Sequence, residues 1–495
     1  KIRSMQIQKI LILILGIFYT LSSCTSDSEE RPNIIFIMSD DHTSQAWGIY
    51  GGILEPYVKN TGIKRLASEG VTLENMFCTN SICVPSRAAI LTGVMSHKNG
   101  VYTLGDALSP DTLNIAKLMT ASGYSTALIG KWHLKEEPTG FDYYKVLPGQ
   151  GRYFDPVFKT AENWEYGWKG GKEQKGFSSD IIGTESLDWI DAQDPEKPFF
   201  LMTHFKATHE PFHYPERHAE LLEDVVLPEP ESLLEPYPEE GKRTFKGQLL
   251  ENLTKRWLRY QADPDKFWTD YPGMPFDVTG LDSIEIRKKS YQKFVKDFIR
   301  CGAAIDDNIE NIITGLEKRG RLDNTLIIYI NSDNGPSSEG MNGTISELLA
   351  QNSMPSTLEQ QMEVLNKDYG GLDALGGPKL DIMYHHGWAY AGASPFQGTK
   401  LLAAYLGGTR TPLVISWPAK IKHDGKARSQ FHHVNDIAAT LYEILDITPP
   451  KVVNGVKQQP LDGVSMVYTF DQPEAKPAKQ TQYFEVMGSR GVYHD

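Results

Sequence analysis

Short apolar runs alternate with helical patterns along this chain. The run Asn33–Met38 is nearly unbroken in apolar character, as expected for a strand buried on both faces of a sheet. Similar runs occur at 125–129, 198–203, Thr325–Ile330 and 412–417. Apolar residues at helical spacing predict helices over 111–122 and over one long or broken stretch, 283–319. This alternation predicts an α/β fold with a large, mostly parallel central sheet sandwiched by helices.

Two stretches interrupt the alternation. Residues 141–175 are rich in Tyr, Trp and Gly, and residues 211–280 are rich in Pro, Glu and aromatic residues. We interpret both as insertions over the sheet. Ligands of open α/β folds bind beyond the carboxyl ends of the strands, so such insertions are expected to shape specificity.

The N-terminal residues predict export. Basic residues precede an apolar run from 10 to 21, which is too short to span a bilayer and is typical of a signal peptide. The run ends in Leu-Ser-Ser-Cys24, which resembles a bacterial lipobox, where the chain is cut before the cysteine and the cysteine is lipidated. We therefore expect a signal peptide over 1–23, a lipid-anchored tether over 24–31, and a cell-envelope lipoprotein in the periplasm or at the outer-membrane surface. The alternative is an ordinary secretion signal.

Composition excludes several classes of protein. With 40% hydrophobic and 23% charged residues among 495, the chain has ordinary globular usage, not that of a disordered or coiled-coil protein. Its 50 basic and 63 acidic residues give a net charge of −13, which argues against a nucleic-acid partner. A local basic cleft can still bind an anionic substrate. Four cysteines are too few for a disulfide scaffold.

The segment Cys83-Val-Pro-Ser-Arg87 carries the first chemical motif. A proline near its start and Gly93 at its end predict a short helix, with Cys83 just before it. A helix N-terminus suits an oxyanion, and a cysteine there can also act as a thiolate nucleophile. The same five residues resemble the motif at which sulfatases convert cysteine to formylglycine.

Polar residues follow three predicted strands. Gly130-Lys131-Trp-His133 ends the strand that begins at 125 and resembles the second sulfatase motif. Asp40 and Asp41 follow one strand, and Asp333 and Asn334 follow another. Polar residues at the tip of a strand usually cap a helix or form a turn. Two such strand tips on neighbouring parallel strands, however, supply the oxygen ligands that hard divalent cations prefer. The set has no soft ligand, which disfavours zinc.

On these motifs the chain resembles type I, formylglycine-dependent sulfatases, arylsulfatase-like members of the alkaline-phosphatase superfamily. The resemblance runs from about Asn33 to the last residue. It implies a sulfuric ester hydrolase with a catalytic domain over 32–440 and a small C-terminal α+β subdomain that begins within 441–495. Relatives continue well beyond this point, so we expect that subdomain to be truncated.

The resemblance also assigns the site. It implies one Ca²⁺ held at the strand tips, with formylglycine derived from Cys83 beside it. The metal set is Asp40, Asp41, Asp333, Asn334 and Cys83, and the catalytic set is Cys83, Arg87, Lys131, His133, His209 and Lys400. His209 is assigned as the leaving-group acid, together with Lys400, and His133 as the base, although these two histidines could exchange roles.

Some of these assignments rest on local sequence. The family has a histidine shortly before a proline in the loop after the 198–203 strand, which His209 fits better than His204. Lys400 precedes a Gly-Gly-x-Arg-x-Pro segment, as in the family. Arg410 of that segment is expected to hold a turn or a buried carboxylate. The remaining weak candidates, for either substrate contact or packing, are His385 and His386.

The implied chemistry is covalent. An ordinary serine would leave a stable sulfate ester, whereas one hydroxyl of a formylglycine hydrate attacks sulfur and the other expels sulfate as the aldehyde re-forms. The expected partners are a sulfated small molecule or glycan, a formylglycine maturase and, through the lipid, a membrane. A sulfated carbohydrate is favoured by export and by the aromatic insertions.

Three alternatives stay open at this point. A phosphonate or phosphodiester hydrolase of the same superfamily can share the formylglycine. A non-catalytic lipoprotein that binds sulfated glycans is disfavoured by the complete set of catalytic residues. A thiol hydrolase that uses unmodified Cys83 lacks an evident triad partner and has no need of a calcium site.

Overall fold

A seven-stranded sheet forms the centre of the protein. The computed structural model describes residues 31–167, 169–210, 212–231, 283–337, 367, 386–453 and 455–494. The seven strands are β1 (Asn33–Met38), β2 (Gly70–Leu73), β4 (Ser125–Lys131), β5 (Tyr143–Leu147), β8 (Phe199–His204), β9 (Thr325–Ile330) and β10 (Leu413–Ser416). Their order in the sheet is β2–β10–β9–β1–β8–β4–β5. Two-stranded pairs use β3 (Met76–Phe77) with β11 (His432–His433), β6 (Val157–Phe158) with β7 (Lys172–Glu173), β12 (Val452–Val453) with β13 (Val456–Lys457), and β14 (Thr481–Val486) with β15 (Ser489–His494).

The mostly parallel sheet confirms the predicted fold class. Pairings among β1, β4, β5, β8 and β9 are parallel, and β10 lies antiparallel between β9 and β2. The five predicted strands are present within two residues of their predicted ends. The prediction that 141–175 is wholly an insertion is wrong, because β5 within it is the edge strand of the sheet. Its burial alternates at first, so it lacks the continuous apolar run of a central strand.

Helices cover both faces of the sheet. They are α1 (Thr61–Ser68), α2 (Cys83–Thr92), α3 (Ser96–Asn99), α4 (Ile115–Ala121), α5 (Ser178–Asp191), α6 (Ser283–Lys318), α7 (His386–Ala393), α8 (Leu406–Thr409) and α9 (Asp436–Ile444). The stretch predicted as long or broken is the single helix α6. The helix predicted over 111–122 begins later, because the side chain of Asn114 caps it by accepting from the Lys117 amide at 2.9 Å.

The core divides along the two faces of the sheet. Alternate residues of β1 point to opposite sides, with Ile35 and Ile37 packing in the cluster that includes α5 and α6. Ile34 and Phe36 pack in the other cluster, with α2, α4 and α9. Each central strand is therefore buried on both faces, which accounts for its continuous apolar sequence.

The terminal predictions are only partly covered by the described residues. The signal peptide and Cys24 lie outside them. No helix in the described ranges is long and apolar enough to cross a membrane. Helix α9 spans the predicted domain boundary at 440, and β14 and β15 form a hairpin near the end of the chain. The boundary and the truncation stay predictions.

Register brings the carboxyl ends of the central strands to one level. Met38 of β1 pairs with Ile330 of β9 and with His204 of β8, and His204 also pairs with Gly130 of β4. Loops that follow these strands therefore emerge side by side at one edge of the sheet.

Gly130 is required for this close approach. Its φ is +108°, and a Cβ placed there would lie 1.9 Å from the carbonyl oxygen of His204. Both the backbone conformation and the contact exclude a side chain. The glycine thus sets the path of the chain immediately before Lys131.

We predict that Gly130→Ala lowers the free energy of unfolding by more than about 3 kcal/mol, because a steric clash is added to left-handed strain. Urea unfolding measures this change. The matched control is Gly123→Ala, since Gly123 also has a positive φ of 89° but has open space around it. It is expected to cost about 1 kcal/mol. Equal losses in the two variants would contradict the steric argument.

Candidate active site

Three carboxylates and three cations lie buried together at the carboxyl edge of the sheet. We call these six residues the charge cluster, and each is at most 2% exposed. The cluster comprises Asp40, Asp41, Asp333, Arg87, Lys131 and Lys400. Its formal charges balance, as burial of so many ions requires.

Helix α2 supplies Cys83 and Arg87 on adjacent turns. Cys83 lies in the first turn, with Ile82 as the N-cap, so it is not just before the helix as predicted. Arg87 donates from Nε to Asp333 Oδ2 at 2.7 Å and from a terminal nitrogen to the carbonyl oxygen of Lys131 at 2.8 Å. Burial alone would raise the pKa of Asp333, but Arg87 and the two lysines outweigh it and hold that pKa below its usual value.

Cys83 lies against the carboxylates and Lys131. Its Sγ is 3.7 Å from Asp40 Oδ1, 3.8 Å from Asp41 Oδ1 and 4.0 Å from Lys131 Nζ. Lys131 Nζ also donates to Asp40 Oδ2. Burial raises the pKa of Cys83 well above its usual value, despite the opposing charges of Lys131 and Lys400. An unmodified Cys83 is therefore a thiol, which disfavours the thiolate hydrolase alternative.

Lys400 and His209 meet at Asp41. Lys400 Nζ is 3.0 Å from Asp41 Oδ2 and 3.5 Å from His209 Nε2. His209 Nδ1 lies 3.0 Å from the carbonyl oxygen of Glu210. Because a carbonyl only accepts, Nδ1 carries a proton, and the lone pair of the neutral ring is on Nε2, towards Lys400.

His133 and His204 occupy different environments. His133 follows β4 with a φ of +62°, and its buried Nδ1 has no hydrogen-bond partner in the described part of the chain. Burial and the charges of Lys131 and Arg87 lower the pKa of His133 well below its usual value. His204 is buried at the end of β8, where its ring packs edge-on against Phe36 and its Nδ1 is 3.1 Å from the Lys131 carbonyl. His204 is thus packed at the end of the strand.

The oxygen atoms at the strand tips fit a divalent cation. Ligand atoms of Asp40, Asp41, Asp333 and Cys83 lie within 4.8 Å of one another. Asn334 donates to Asp41 Oδ1 at 2.6 Å, whereas its own buried Oδ1 has no partner among the described residues. Burial also raises the pKa of Asp40 to about 7. A hard cation would satisfy both the amide oxygen and the carboxylates.

Weaker candidates lie apart from the cluster or outside the described residues. Arg410 was expected to hold a turn or a buried carboxylate. Its guanidinium donates to the amide oxygen Gln45 Oε1 at 2.9 Å and lies over the ring of Phe396, so its described hydrogen bond is with an amide and not with a carboxylate. His385 lies outside the described residues, and the side chain of His386 is not described.

Sequence reasoning missed several contacts in and around the site. Gln150 accepts from Lys131, and Tyr153 donates to the carbonyl oxygen of His209. Glu210, to which no role was assigned, is buried and accepts from Ser337 at 2.6 Å. The sequence Gly-Gln-Gly just after a strand could have indicated that Gln150 lies in a turn at the edge of the sheet where the site is.

The fold and site correspond to a known family. Residues 32–447 match the family model described as Sulfatase, so the chain belongs to the sulfatase family. The class of protein is that of the sulfatases, whose named members are sulfuric ester hydrolases.

Two curated relatives illustrate the range of similarity. The chain is 36% identical over 351 residues to an N-acetylglucosamine-6-O-sulfatase of Bacteroides thetaiotaomicron, covering 64% of this chain and 61% of that relative, less than two thirds of its length. It is 24% identical to an arylsulfatase of Klebsiella aerogenes, covering 88% of this chain and 92% of the relative.

Solved structures share the fold. One, described as a complex with its substrate D-glucosamine-2-N,6-O-disulfate, has a TM-score of 0.70 and 26% identity, covering 94% of this chain and 87% of that chain. A phosphonate monoester hydrolase from Silicibacter pomeroyi has a TM-score of 0.56 and 17% identity, covering 92% and 80%. The second similarity shows the fold alone.

We predict that Arg87→Gln lowers the free energy of unfolding by about 3–5 kcal/mol in chelator, because it leaves buried carboxylates uncompensated. Urea unfolding at neutral pH measures it. Arg217→Gln is the control, since Arg217 pairs with Asp180 and Asp307 but is 41% exposed. That control is expected to cost at most about 1 kcal/mol. A loss for Arg87→Gln no larger than that of the control would contradict the argument.

Proposed function

We propose that this chain hydrolyses sulfate monoesters at a formylglycine derived from Cys83, with one Ca²⁺ at the strand tips. The observation that supports this most is the setting of Cys83. It lies in the first turn of a buried helix and within about 4 Å of two carboxylates and an ammonium group. The family motif for formylglycine occurs at that position.

Modification of Cys83 would replace a thiol that burial keeps protonated. A hydrated formylglycine there would supply one hydroxyl as the nucleophile and a second for the release of sulfate. His133 lies beside Lys131 and Arg87, and burial and their charges keep its imidazole neutral. We assign it as the base that removes the proton from that second hydroxyl.

Lys131 and Lys400 are placed to hold sulfate oxygens. Each ammonium group lies against a carboxylate of the proposed metal site, Lys131 against Asp40 and Lys400 against Asp41. With a substrate bound, N–H donors of both lysines would turn to the sulfate oxygens and spread the negative charge of the transferring group. Lys400 Nζ also lies 3.5 Å from His209 Nε2, so this pair is our choice for protonating the leaving alcohol.

The metal ligands in this proposal are Asp40, Asp41, Asp333 and Asn334, with the modified residue 83 beside them. A bound Ca²⁺ would neutralise negative charge and orient oxygen atoms. Arg87 orients the same group of oxygens from the protein side, through its hydrogen bond to Asp333.

For the substrate we propose a 6-O-sulfated amino sugar. One relative is named N-acetylglucosamine-6-O-sulfatase, and one solved neighbour is described with D-glucosamine-2-N,6-O-disulfate as its substrate. Export as a lipoprotein anchored at Cys24 would place such an enzyme where sulfated glycans are met. A formylglycine maturase is then a required partner.

The first test is a panel of esters. The protein, coexpressed with a formylglycine maturase, is assayed on matched sulfate, phosphate and phosphonate esters and on glucosamine 6-sulfate. We predict that sulfate release dominates and falls by at least about 1,000-fold in Cys83→Ala, since the nucleophile is lost. The reaction is followed by sulfate production, and the mass of the peptide around residue 83 reports the modification.

Cys78→Ala is the matched control, because Cys78 is another buried cysteine nearby in sequence, with its Sγ 3.8 Å from the Gly408 carbonyl. It should keep most of the activity. If hydrolysis of the phosphonate ester dominates, the protein is instead a phosphonate hydrolase of the same superfamily. No turnover by fully modified protein would favour a glycan-binding lipoprotein.

Metal binding is tested apart from activity. We predict that Ca²⁺ raises the midpoint of thermal unfolding of Cys83→Ala protein, because a cation that binds only the folded state stabilises it, by about 2.7 kcal/mol at 100 times its Kd. Introducing Asn334→Ala into the same background should remove most of that increase, since the orphaned amide oxygen is lost. An equal Ca²⁺ response in both proteins would argue against Asn334 as a ligand.

A further inference from the structure

Gln150 contacts the catalytic centre without belonging to any motif of the family described above. Lys131 Nζ donates to Gln150 Oε1 at 2.5 Å. Gln150 follows β5 in a turn between Gly149, with a φ of +54°, and Gly151, with a φ of +71°. A Cβ on Gly151 would lie 2.8 Å from a side-chain atom of Leu147, so this turn requires glycine.

The contact with Lys131 fixes the orientation of the Gln150 amide. An ammonium group only donates, so the carbonyl oxygen of the amide faces Lys131 and the NH₂ group points away from it. Among the residues that the structure describes, this NH₂ group makes no hydrogen bond. Gln150 is half-buried, so these two donors are accessible.

The turn is also held at its other end. Tyr153 donates to the carbonyl oxygen of His209, and its ring lies under Lys206, whose Nζ is 4.6 Å from the ring centroid. The segment 150–153 therefore runs from the lysine that clamps sulfate to the histidine of the leaving-group pair. With the sulfate held by Lys131 and the leaving alcohol by the His209 pair, as proposed above, an amide on this path would lie near the sugar that carries the sulfate.

We propose that Gln150 is a specificity-determining residue whose Nε2 donates to a hydroxyl or ring oxygen of a sulfated sugar. This inference rests on the proposed sulfatase function and deepens it. A sugar presents oxygens on the carbons near its sulfate ester, whereas a simple aryl sulfate presents only carbon and hydrogen there. A hydrogen bond available to only one of them favours the sugar in the transition state.

The test compares two esters. The ratio of kcat/KM for glucosamine 6-sulfate to kcat/KM for 4-nitrophenyl sulfate is measured in the wild type, Gln150→Leu and Gln150→Glu. We expect this ratio to fall about tenfold in both variants, because both lose the NH₂ donors. Gln150→Glu keeps an acceptor for Lys131, so it separates donation to the sugar from support of the lysine.

The control is Gln174→Leu, which changes a glutamine in the same 141–175 stretch beyond β7 and should leave the ratio unchanged. Equal losses on both esters in Gln150→Leu and Gln150→Glu would mean that Gln150 only supports Lys131, and would overturn the inference. An unchanged ratio would also overturn the inference. The same holds if the wild-type protein hydrolyses the aryl ester but not the sugar ester. Wild-type turnover of neither sulfate would instead defeat the proposed function itself, and the inference with it.

Discussion

Charge balance in the buried cluster is the constraint on which the rest of the site depends. Three carboxylates and three cations are removed from water within a few ångströms of one another, and none of them is tolerable there alone. Each ion is therefore positioned by its counterions as much as by its own backbone. A divalent cation added to this neutral set would give the site a net positive charge, which attracts an anionic ester. This local charge would let the site bind an anion although the whole protein has a net charge of −13.

The sheet meets this constraint through register. Four parallel strands end at one level, so short loops can supply ligands, lysines and histidines without long excursions. Helix α2 completes the arrangement, because one turn separates Cys83 from Arg87. The backbone carbonyl of Lys131 accepts from both Arg87 and His204, which ties the helix, β4 and β8 together at that residue.

Sequence patterns predicted those parts of the protein that depend on local information. The buried strands have continuous apolar runs, so β1 and β9 were predicted, and the short motifs at the strand ends and in the Cys83 helix named residues that the structure brings together at one edge of the sheet. Edge strand β5 was missed because its half-buried alternation resembles a loop rich in tyrosine. Gln150 was missed together with β5, because it follows the end of that strand beside Lys131. Glu210 was missed because its contact with Ser337 depends on how loops distant in the sequence fold over the sheet, which no local spacing encodes.

The complete burial of Cys83 has a consequence for the order of events in the life of the protein. Its thiol has no exposed surface, and the groups around it come from positions as far apart as Asp40 and Lys131. An enzyme that modifies this side chain must reach it while the segment is still extended, before those loops have closed. Under the proposed function, modification would therefore have to precede folding, and a chain that folded first would be lost to catalysis.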